Sequence, residues 1–471
     1  MTDSGVGDSV AIAPGEGLPE GWVRARIGEL CEVNPRAFDE EPDDDDLISQ
    51  VPMALVEAES GRVDASTQVR FGDFKKKSLT RFQENDVLFA KITPCMENGK
   101  IAKAQGLVGG RALGSTEFHV LRSAGGVLPE YLMHYLLQRN VRRVAEQHMS
   151  GAVGQRRVPR SYLANLEIPV PPLSEQRRIV AKLDEQLTHI EVGEAALAEA
   201  RSQLGTFEVM LLARATKANP EAPSWECLTI GDMAKVSSGA TPLKARADYY
   251  DNGSVPWVTS SLLNETYVDR ADKFITNLAL AETSVKEYLP GTILMAMYGE
   301  GKTRGKCAVL GIRATTNQAC AGIELDPEYE SRRAWVVALL EALYEENRAL
   351  ASGGVQPNLS LGLIKKIRVP LPPVGRQKEI LAELAHRRSE VAAMHTVIED
   401  ASVQAKVLRG ALLHAAFTGT LVPQDPADEP ASALLDRICA QRQAAVKPVR
   451  KRTPRKTTSK PASSGQEELP L

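Results

Sequence analysis

The sequence predicts an α+β protein in which two globular domains are each followed by a long helix, with the two helices packed on each other. A proline-rich run occurs twice, at positions 168 and 369, when the chain is aligned with itself. The segment after each run has the composition and the apolar spacing of a long helix. The segments before the two runs agree at a few positions and diverge elsewhere. One fold that carries two different surfaces explains this pattern.

The repeated runs are IPVPPLSEQRR, which begins at Ile168, and VPLPPVGRQKE, which begins at Val369. Proline fixes its own φ and has no backbone N–H to donate, so each run predicts a stiff, extended connector. Each run ends in a polar stretch with a glutamine, Gln176 or Gln377. Ser174 is a candidate N-cap for the first helix.

After each connector, apolar residues recur every seven positions, a spacing typical of a coiled coil rather than of a helix on a globular core. About 40 residues at 1.5 Å per residue make a rod of roughly 60 Å. Gly419 predicts the end of the second helix. The predicted seam residues are Leu183, Ile190, Leu197, Leu204 and Leu211 in the first helix, and Leu384, Val391, Ile398, Ala405 and Leu412 in the second, with Met394, Ala401 and Leu408 at a companion position.

The domains before the connectors match more weakly. Trp22 corresponds to Trp225, and Gly28 corresponds to Gly231. The predicted divisions are an N-terminal segment without fixed structure (1–17), a first domain (18–167), a first connector and helix (168–219), a second domain (220–366), a second connector and helix (367–420) and a C-terminal extension with a basic, largely disordered tail (421–471).

Composition narrows the class of protein. Hydrophobic residues make up 43% of the 471 residues and charged residues 25%, the balance of a folded protein with buried cores. The N-terminus lacks the pattern of a secretory signal, and no stretch approaches the roughly 20 apolar residues of a membrane span, so we expect a cytoplasmic protein. Six scattered cysteines predict neither zinc nor disulfides. The net charge of −3 counts modestly against nucleic-acid binding, unless partner subunits share the contacts.

The order of these elements resembles the specificity subunit of type I restriction-modification systems. The resemblance spans about residues 18–425, and it is carried by LPEGW at 18–22, the two proline connectors, the two heptad helices and AFTG at 416–419. It implies two target recognition domains, each of which reads half of an asymmetric, bipartite double-stranded DNA site. It also implies that the helices pair as an antiparallel coiled coil about a pseudo-twofold axis.

The resemblance further implies that the heptad helices dock two methyltransferase (modification) subunits, while restriction and translocase subunits join separately. No catalytic residue and no metal ligand are expected in this chain. S-adenosylmethionine, ATP and Mg²⁺ are expected only in the partner subunits. A rod of roughly 60 Å spans one to two turns of DNA, so the length of the helices would set the spacing between the half-sites.

Direct reading of bases requires Arg or Lys for guanine, Asn or Gln for adenine, and hydroxyl groups, all presented on loops that fit the major groove. For each single residue below, a solvated surface role is an equally good interpretation. The candidate DNA contacts are Lys91, Thr93, Asn98, Lys100, Lys103, Gln155, Arg156 and Arg157 in the first domain, and Tyr298, Lys302, Thr303, Arg304, Lys306, Gln356 and Asn358 in the second.

Other patterns leave alternative functions open. AMYGEGKT at 296–303 has the spacing of a P-loop, which would make the chain an NTPase, although a working P-loop runs straight into a helix. A self-contained methyltransferase lacks support, since no glycine-rich cofactor loop or Asn/Asp-Pro-Pro-aromatic signature is present. A protein-interaction scaffold built on the coiled coil is a third alternative. His119, near Glu117, is interpreted as a surface or core residue of a strand.

Three charged runs stand outside these motifs. Residues 39–46 contain seven carboxylates, and we interpret them as a solvated, disordered loop. Lys75 to Lys77 are interpreted as a solvated basic face. The tail at 447–460 carries seven Lys or Arg and no acid, which suits non-specific, salt-dependent binding to DNA.

Overall fold

The computed structural model describes residues 17–36, 38–152, 154–217, 219, 221–298, 303–349 and 358–445. The chain divides into two compact units. Unit 1 comprises Met1–Val192 and Gln404–Leu471, and unit 2 comprises Gly193–Val403. The two long helices therefore contribute to both units. The predicted features at 1–16 and 447–460 lie outside the described residues.

The globular part of unit 1 is a mixture of short strands and short helices. Its elements are β1 (Val23–Arg26), α1 (Ile27–Leu30), β2 (Cys31–Val33), β3 (Leu47–Val51), β4 (Gln68–Arg70), α2 (Phe71–Phe74), β5 (Thr80–Gln83), β6 (Val87–Ala90), β7 (Ile101–Lys103), β8 (Arg111–Gly114), β9 (Phe118–Ser123), α3 (Pro129–Leu137), α4 (Arg139–Gln147), α5 (Arg160–Asn165) and β10 (Glu167–Val170). One sheet has the order β2-β9-β6-β7 and a second has the order β4-β3-β8-β5. The main core lies between the first sheet and α3, around Tyr131, Leu132 and Leu136.

The first long helix, α6 (Leu173–Ala215), leads into the globular part of unit 2. The elements that follow are β11 (Glu226–Thr229), α7 (Ile230–Met233), β12 (Ala234–Ser238), β13 (Val255–Val258), β14 (Tyr267–Val268), β15 (Phe274–Ile275), α8 (Asn277–Glu282), β16 (Glu287–Tyr288), β17 (Ile293–Ala296), β18 (Cys307–Leu310), β19 (Ala314–Thr316), β20 (Cys320–Leu325), α9 (Arg333–Ala342), α10 (Tyr344–Ala349), α11 (Leu361–Lys365) and β21 (Arg368–Leu371). The second long helix, α12 (Val374–Thr418), and a final helix, α13 (Ala431–Ala445), complete the described chain.

The two units share one sheet plan. The order β12-β20-β17-β18 in unit 2 repeats β2-β9-β6-β7 of unit 1, with β14 added at one edge. The order β15-β13-β19-β16 likewise repeats β4-β3-β8-β5. Both second sheets contain one parallel pair, β3 with β8 and β13 with β19, among antiparallel neighbours. The predicted duplication of an α+β frame is confirmed.

Each proline connector is an extended strand, as predicted. β10 pairs antiparallel with β1, and β21 pairs antiparallel with β11. The carbonyl of the proline in each strand accepts a hydrogen bond from a buried aromatic side chain. Tyr131 Oη donates to Pro169 at 3.0 Å, and Trp335 Nε1 donates to Pro370 at 2.7 Å. Proline is tolerated in these strands because its carbonyl oxygen can still accept a hydrogen bond, although its nitrogen has no hydrogen to donate.

The repeated glycines Gly28 and Gly231 lie where two short helices touch. A Cβ atom added to Gly28 would lie 3.0 Å from the carbonyl oxygen of Ala164 in α5. A Cβ atom on Gly231 would lie 3.1 Å from the carbonyl oxygen of Lys365 in α11. Any larger side chain would push these helices apart, which accounts for glycine at both positions of the repeat.

The long helices run antiparallel to each other. In unit 1, Arg409 of α12 forms an ion pair of 3.9 Å with Glu191 of α6. In unit 2, Arg201 of α6 contacts Glu399 of α12, and Leu212 shares a cluster with Leu384. Residue numbers rise along α6 while those of their partners fall along α12. α12 ends at Thr418, and Gly419 has the left-handed φ of 77° that favours glycine there.

The first heptad column forms the seam, and of the companion residues only Ala401 is half-buried beside it. Leu183, Ile190, Leu384, Val391 and Ile398 are buried, and Leu197, Leu204, Leu211, Ala405 and Leu412 are half-buried. The companion prediction is wrong for Met394 and Leu408, each of which is 52% exposed. The half-buried positions next to the seam carry polar side chains instead, namely Arg388, His395, Ser402 and Arg409. They follow the seam residues by four positions, which an apolar pattern alone cannot reveal.

Replacing Ile398 with alanine is expected to lower the free energy of unfolding of unit 2 by about 2–4 kcal/mol, because it removes a buried seam side chain. Its neighbour Val397 is 67% exposed, so Val397→Ala is a matched control that should change stability by less than about 0.5 kcal/mol. Urea denaturation of both variants, followed by circular dichroism, measures the difference. Equal stability of the two variants would contradict the seam.

Two further predictions from the sequence need correction. Ser174 is not an N-cap, because α6 begins one residue earlier and the Ser174 hydroxyl donates to Asp428 at 2.5 Å. The extension after α12 contains a helix that was not predicted, α13, whose Ile438 packs against Gly126 of unit 1. In the part of the chain that the structure describes, no helix is both long enough and apolar enough to cross a membrane.

Candidate nucleic-acid interface

Two of the predicted contact segments in unit 1 lie side by side. The loop between β6 and β7 begins at Lys91, and its first residues pair with the segment that ends at Val158. Thr93 N donates to the carbonyl of Arg156 at 3.0 Å, and Val158 N donates to the carbonyl of Lys91 at 2.8 Å. A bridge between Ile92 and Arg157 completes this pairing. The backbone therefore brings Lys91, Thr93, Gln155, Arg156 and Arg157 to one place.

Acidic neighbours hold the cations of this site. Arg157 donates to both carboxylate oxygens of Glu117, at 2.8 and 2.9 Å. This hydrogen bonding lowers the pKa of Glu117, so that the carboxylate stays ionised. Arg156 lies 3.3 Å from Glu146 and 3.6 Å from Glu97. The guanidinium groups are thereby positioned, and their exposed edges remain available to an anion.

The remaining candidates of unit 1 differ in accessibility. Lys91 Nζ donates to the carbonyl of Thr116 at 2.6 Å, and Thr93 Oγ1 donates to Glu97 at 3.0 Å. Lys100 donates to the carbonyl of Met53 at 3.0 Å, and Lys103, which is 17% exposed, pairs with Glu130 at 2.6 Å. These two lysines anchor the loop to the body of the unit. Asn98 and Gln155 are exposed.

A buried arginine that sequence reasoning missed holds the same loop. Arg142 of α4 is 6% exposed, and it donates to the carbonyl oxygens of Glu97 at 2.5 Å and of Leu137 at 3.3 Å. It also contacts the carboxylate of Glu59. A buried charge needs such partners, so the loop and α4 stabilise each other. The sequence of α4 reads as an ordinary charged helix and gives no signal of this role.

His119 belongs to the core, as interpreted from the sequence. It is 5% exposed, and burial lowers the pKa of its imidazole, which is therefore neutral at neutral pH. Its Nε2–H donates to the carbonyl of Val158 at 2.8 Å, and its Nδ1 accepts from the Asn34 amide at 3.0 Å. His119 thus supports the back of the segment that carries Arg157.

A cavity of about 450 Å³ lies beside Lys91. Arg36 and Arg81, which were not among the predicted contacts, line it together with Lys91. Asn34 and Thr80 add an amide and a hydroxyl group. Cations, amides and hydroxyl groups are the donors that proteins use on the DNA backbone.

In unit 2 the corresponding surface is built the same way. Leu359 N donates to the carbonyl of Met297 at 2.8 Å, which places Asn358 near Tyr298. Tyr298, Thr303, Arg304 and Lys306 are half-buried, and Asn358 is exposed. Lys302 and Gln356 lie outside the described residues.

The P-loop interpretation is wrong. β17 and β18 pair antiparallel with Met295 opposite Cys307, so among the described residues the segment is followed by a strand rather than by a helix. A P-loop depends on the N-terminus of the helix that follows it.

Comparison with known proteins accounts for the duplicated frame. The family model described as the type I restriction modification DNA specificity domain matches residues 19–200 and again residues 223–389. The chain belongs to this type I DNA specificity family. Both matches run from a globular part into the long helix that follows it, so each repeat of the specificity domain includes part of α6 or α12.

Curated relatives agree with this membership. Over 174 residues the chain is 37% identical to the specificity subunit of the type I restriction enzyme EcoAI from Escherichia coli, a match that covers 36% of this chain and 29% of that protein. Over 212 residues it is 34% identical to the EcoEI specificity subunit of the same species, covering 44% of this chain and 35% of that protein. The matches thus span about a third of the length of these relatives.

Solved structures of the type I systems share the fold. A chain from a structure of a type I system, described for its assembly and conformational transition, has a TM-score of 0.71 at 22% identity, covering 86% of this chain and 100% of that one. The HsdS subunit of Thermoanaerobacter tengcongensis has a TM-score of 0.55 at 22% identity, covering 87% of this chain and 99% of its own.

Proposed function

We propose that this chain is the non-catalytic subunit that reads DNA sequence for a type I restriction-modification complex. It recognises an asymmetric, bipartite double-stranded DNA sequence and directs methyltransferase and restriction subunits to it. One observation carries this proposal. The two units repeat a single sheet plan, yet the loops at the equivalent edge present different side chains, such as Lys91 and Arg157 in unit 1 against Tyr298 and Asn358 in unit 2.

The different side chains suit two different half-sites. Lysine and arginine fit the acceptors of guanine or the phosphates, whereas asparagine fits adenine. Two modest half-site affinities reinforce each other when one chain carries both readers, because the second half-site is then held at a high effective concentration. A local cluster of basic side chains on a reading surface is therefore sufficient, and the net charge of −3 is compatible with this role.

Chemistry on DNA is assigned to the partners. The specificity subunits named among the relatives support a non-catalytic role, and S-adenosylmethionine, ATP and Mg²⁺ are proposed to bind only in the methyltransferase and restriction subunits. The heptad residues that were predicted to dock those partners lie in the seam, where the other helix covers them. Docking therefore falls to apolar side chains on the outer faces of the helices.

In unit 2 these outer faces carry several exposed apolar residues. Phe207 is six residues beyond Arg201 on α6, and Met394 is five residues before Glu399 on α12, so the antiparallel register places both at one level of the helix pair. Exposed apolar residues that cluster in this way mark protein interaction sites. The exposed set comprises Phe207, Val209, Met210, Met394, Val397 and Val403.

Deleting the gene for this chain from its host tests the proposal. Sequencing of the methylated bases is expected to show the loss of one asymmetric, gapped motif, while every other motif remains. Restoring the intact gene should restore that motif. A methylome that does not change on deletion would refute the proposed function.

A further inference from the structure

The acidic segment, residues 39–46, connects β2 to β3 in unit 1, and it is not the loop without fixed contacts that its composition predicts. Five of its carboxylates each contact a different basic side chain on strands β4, β5, β8 and β9 or just after α2. The pairs are Asp39 with Arg122 (3.1 Å), Glu40 with Arg111 (3.1 Å), Glu41 with Arg81 (2.7 Å), Asp44 with Lys75 (2.5 Å) and Asp45 with Arg70 (3.4 Å).

The acids lie on the solvent side of most of these pairs. The side chains of Arg122 and Arg111 are 15% and 23% exposed, whereas their partners Asp39 and Glu40 are 72% and 87% exposed. The basic groups thus belong to the sheet surface, and the acidic segment is laid over them. Arg122 is also held by the buried carboxylate of Asp86 at 2.8 Å, so its charge stays paired inside unit 1. If the segment moved aside, the surface beneath it would present the other four cations.

This basic surface is continuous with the candidate interface. Arg81, the partner of Glu41, also lines the cavity of about 450 Å³ that contains Lys91 and Arg36. The residues that line this cavity, all of them described, include no carboxylate. The acidic segment therefore meets the edge of the site where we place DNA at Glu41, and its other carboxylates cover further basic groups.

We propose that the acidic segment is an intramolecular competitor for the DNA backbone, and that the basic groups beneath it are a phosphate-binding extension of the unit 1 interface. The inference rests on the proposed function of DNA reading. Exposed ion pairs contribute little net free energy, so a phosphate can replace each carboxylate at low cost. DNA that lacks the recognised sequence is bound only through its backbone phosphates. The acidic segment competes with those phosphates for the basic groups. DNA that contains the recognised sequence adds contacts to its bases, and their binding free energy outweighs the competition from the acidic segment.

Neutralising the segment tests the proposal. The full-length variant Asp39→Asn, Glu40→Gln, Glu41→Gln, Asp44→Asn, Asp45→Asn is titrated into a fluorescent 30-base-pair duplex of random sequence between 50 and 300 mM NaCl. At 100 mM NaCl we expect affinity about tenfold higher than that of the unaltered chain. Each phosphate contact adds about −0.9 to the slope of log K against log salt, so contacts to the four available cations would steepen it by at most about 3.6.

Two matched controls separate this mechanism from a change in net charge. The first neutralises five exposed acids of unit 2 instead, and it should leave the slope unchanged; these are Asp251, Asp272, Glu328, Glu345 and Glu383. The second adds Arg81→Gln and Arg111→Gln to the neutralised segment, and about half of the added salt slope should then be lost, because Lys75 and Arg70 remain. Thermal unfolding verifies that each variant is folded.

The proposal is overturned if neutralising the segment changes neither affinity nor slope, if the unit 2 control gives the same gain, or if loss of the two arginines leaves the gain undiminished. These outcomes are distinct from failure of the proposed function. A chain with no role in DNA recognition would leave the host methylome unchanged on deletion, whatever its acidic segment does in a binding experiment.

Discussion

Replacing Phe417 with alanine is expected to lower the free energy of unfolding of unit 1 by about 3–5 kcal/mol. Phe417 lies near the end of α12 and is 2% exposed. Its ring packs edge-on against Tyr131 and Tyr135 of α3, with centroid distances of 4.9 and 5.2 Å. The truncation removes these aromatic contacts and leaves a cavity between the helix and the domain.

Hydrogen exchange measured on peptides from α3 reports the stability of unit 1 separately from that of unit 2. Phe207→Ala is the matched control, because Phe207 lies on α6 and is 48% exposed. That variant should change stability by less than about 0.5 kcal/mol. Equal protection of α3 in the two variants would show that the end of α12 does not stabilise the domain.

Exchanging residues 34–158 for the equivalent segment of another family member is expected to change one half of the recognised DNA sequence and to leave the other half and the gap intact. The exchanged segment contains the loop at Lys91 and the acidic segment. It leaves in place the pairing of β1 with β10 and the hydrogen bond of 3.0 Å from Trp22 Nε1 to Glu175. The part of the joint that β1, β10 and Trp22 form therefore stays native, whereas the contacts of α3 with Phe417 come from the exchanged segment.

Methylome sequencing of cells that carry the chimera measures the outcome. The control exchanges the same segment between two chains that recognise the same half-site, and it should preserve the whole motif. Simultaneous change of both half-sites, or of the gap alone, would contradict the assignment of one reader to each unit.

Sequence periodicity predicted the parts of the fold that depend on local order. The sevenfold spacing located Leu384, Val391 and Ile398 in the seam, and the connectors at Pro169 and Pro370 are extended as their proline content requires. Both results follow from geometry within a single element, where residue type and spacing decide the outcome.

The rest depended on contacts between distant segments. Met394 and Leu408 have the apolar character of a seam, yet they are exposed, whereas Arg388 and Arg409 are half-buried and pair with Glu341 of α9 and Glu191 of α6. The acidic segment has the composition of a solvated loop, and only the sheet brings basic partners such as Arg81 and Arg111 beneath it. Arg142 could not be singled out, since its partners lie on a loop some 45 residues away.

The make-up of unit 1 from both ends of the chain has a consequence for synthesis. Trp22 and Tyr131 share a core cluster with Ala416 and Phe417, so the part of the protein that is translated first is completed last. Unit 2, which is continuous from Gly193 to Val403, has all of its residues before the ribosome reaches the end of α12. Translation of an mRNA that ends just before codon 404 would therefore yield a complete second unit attached to a first unit with an unfilled core. Quality-control proteases would degrade such a product.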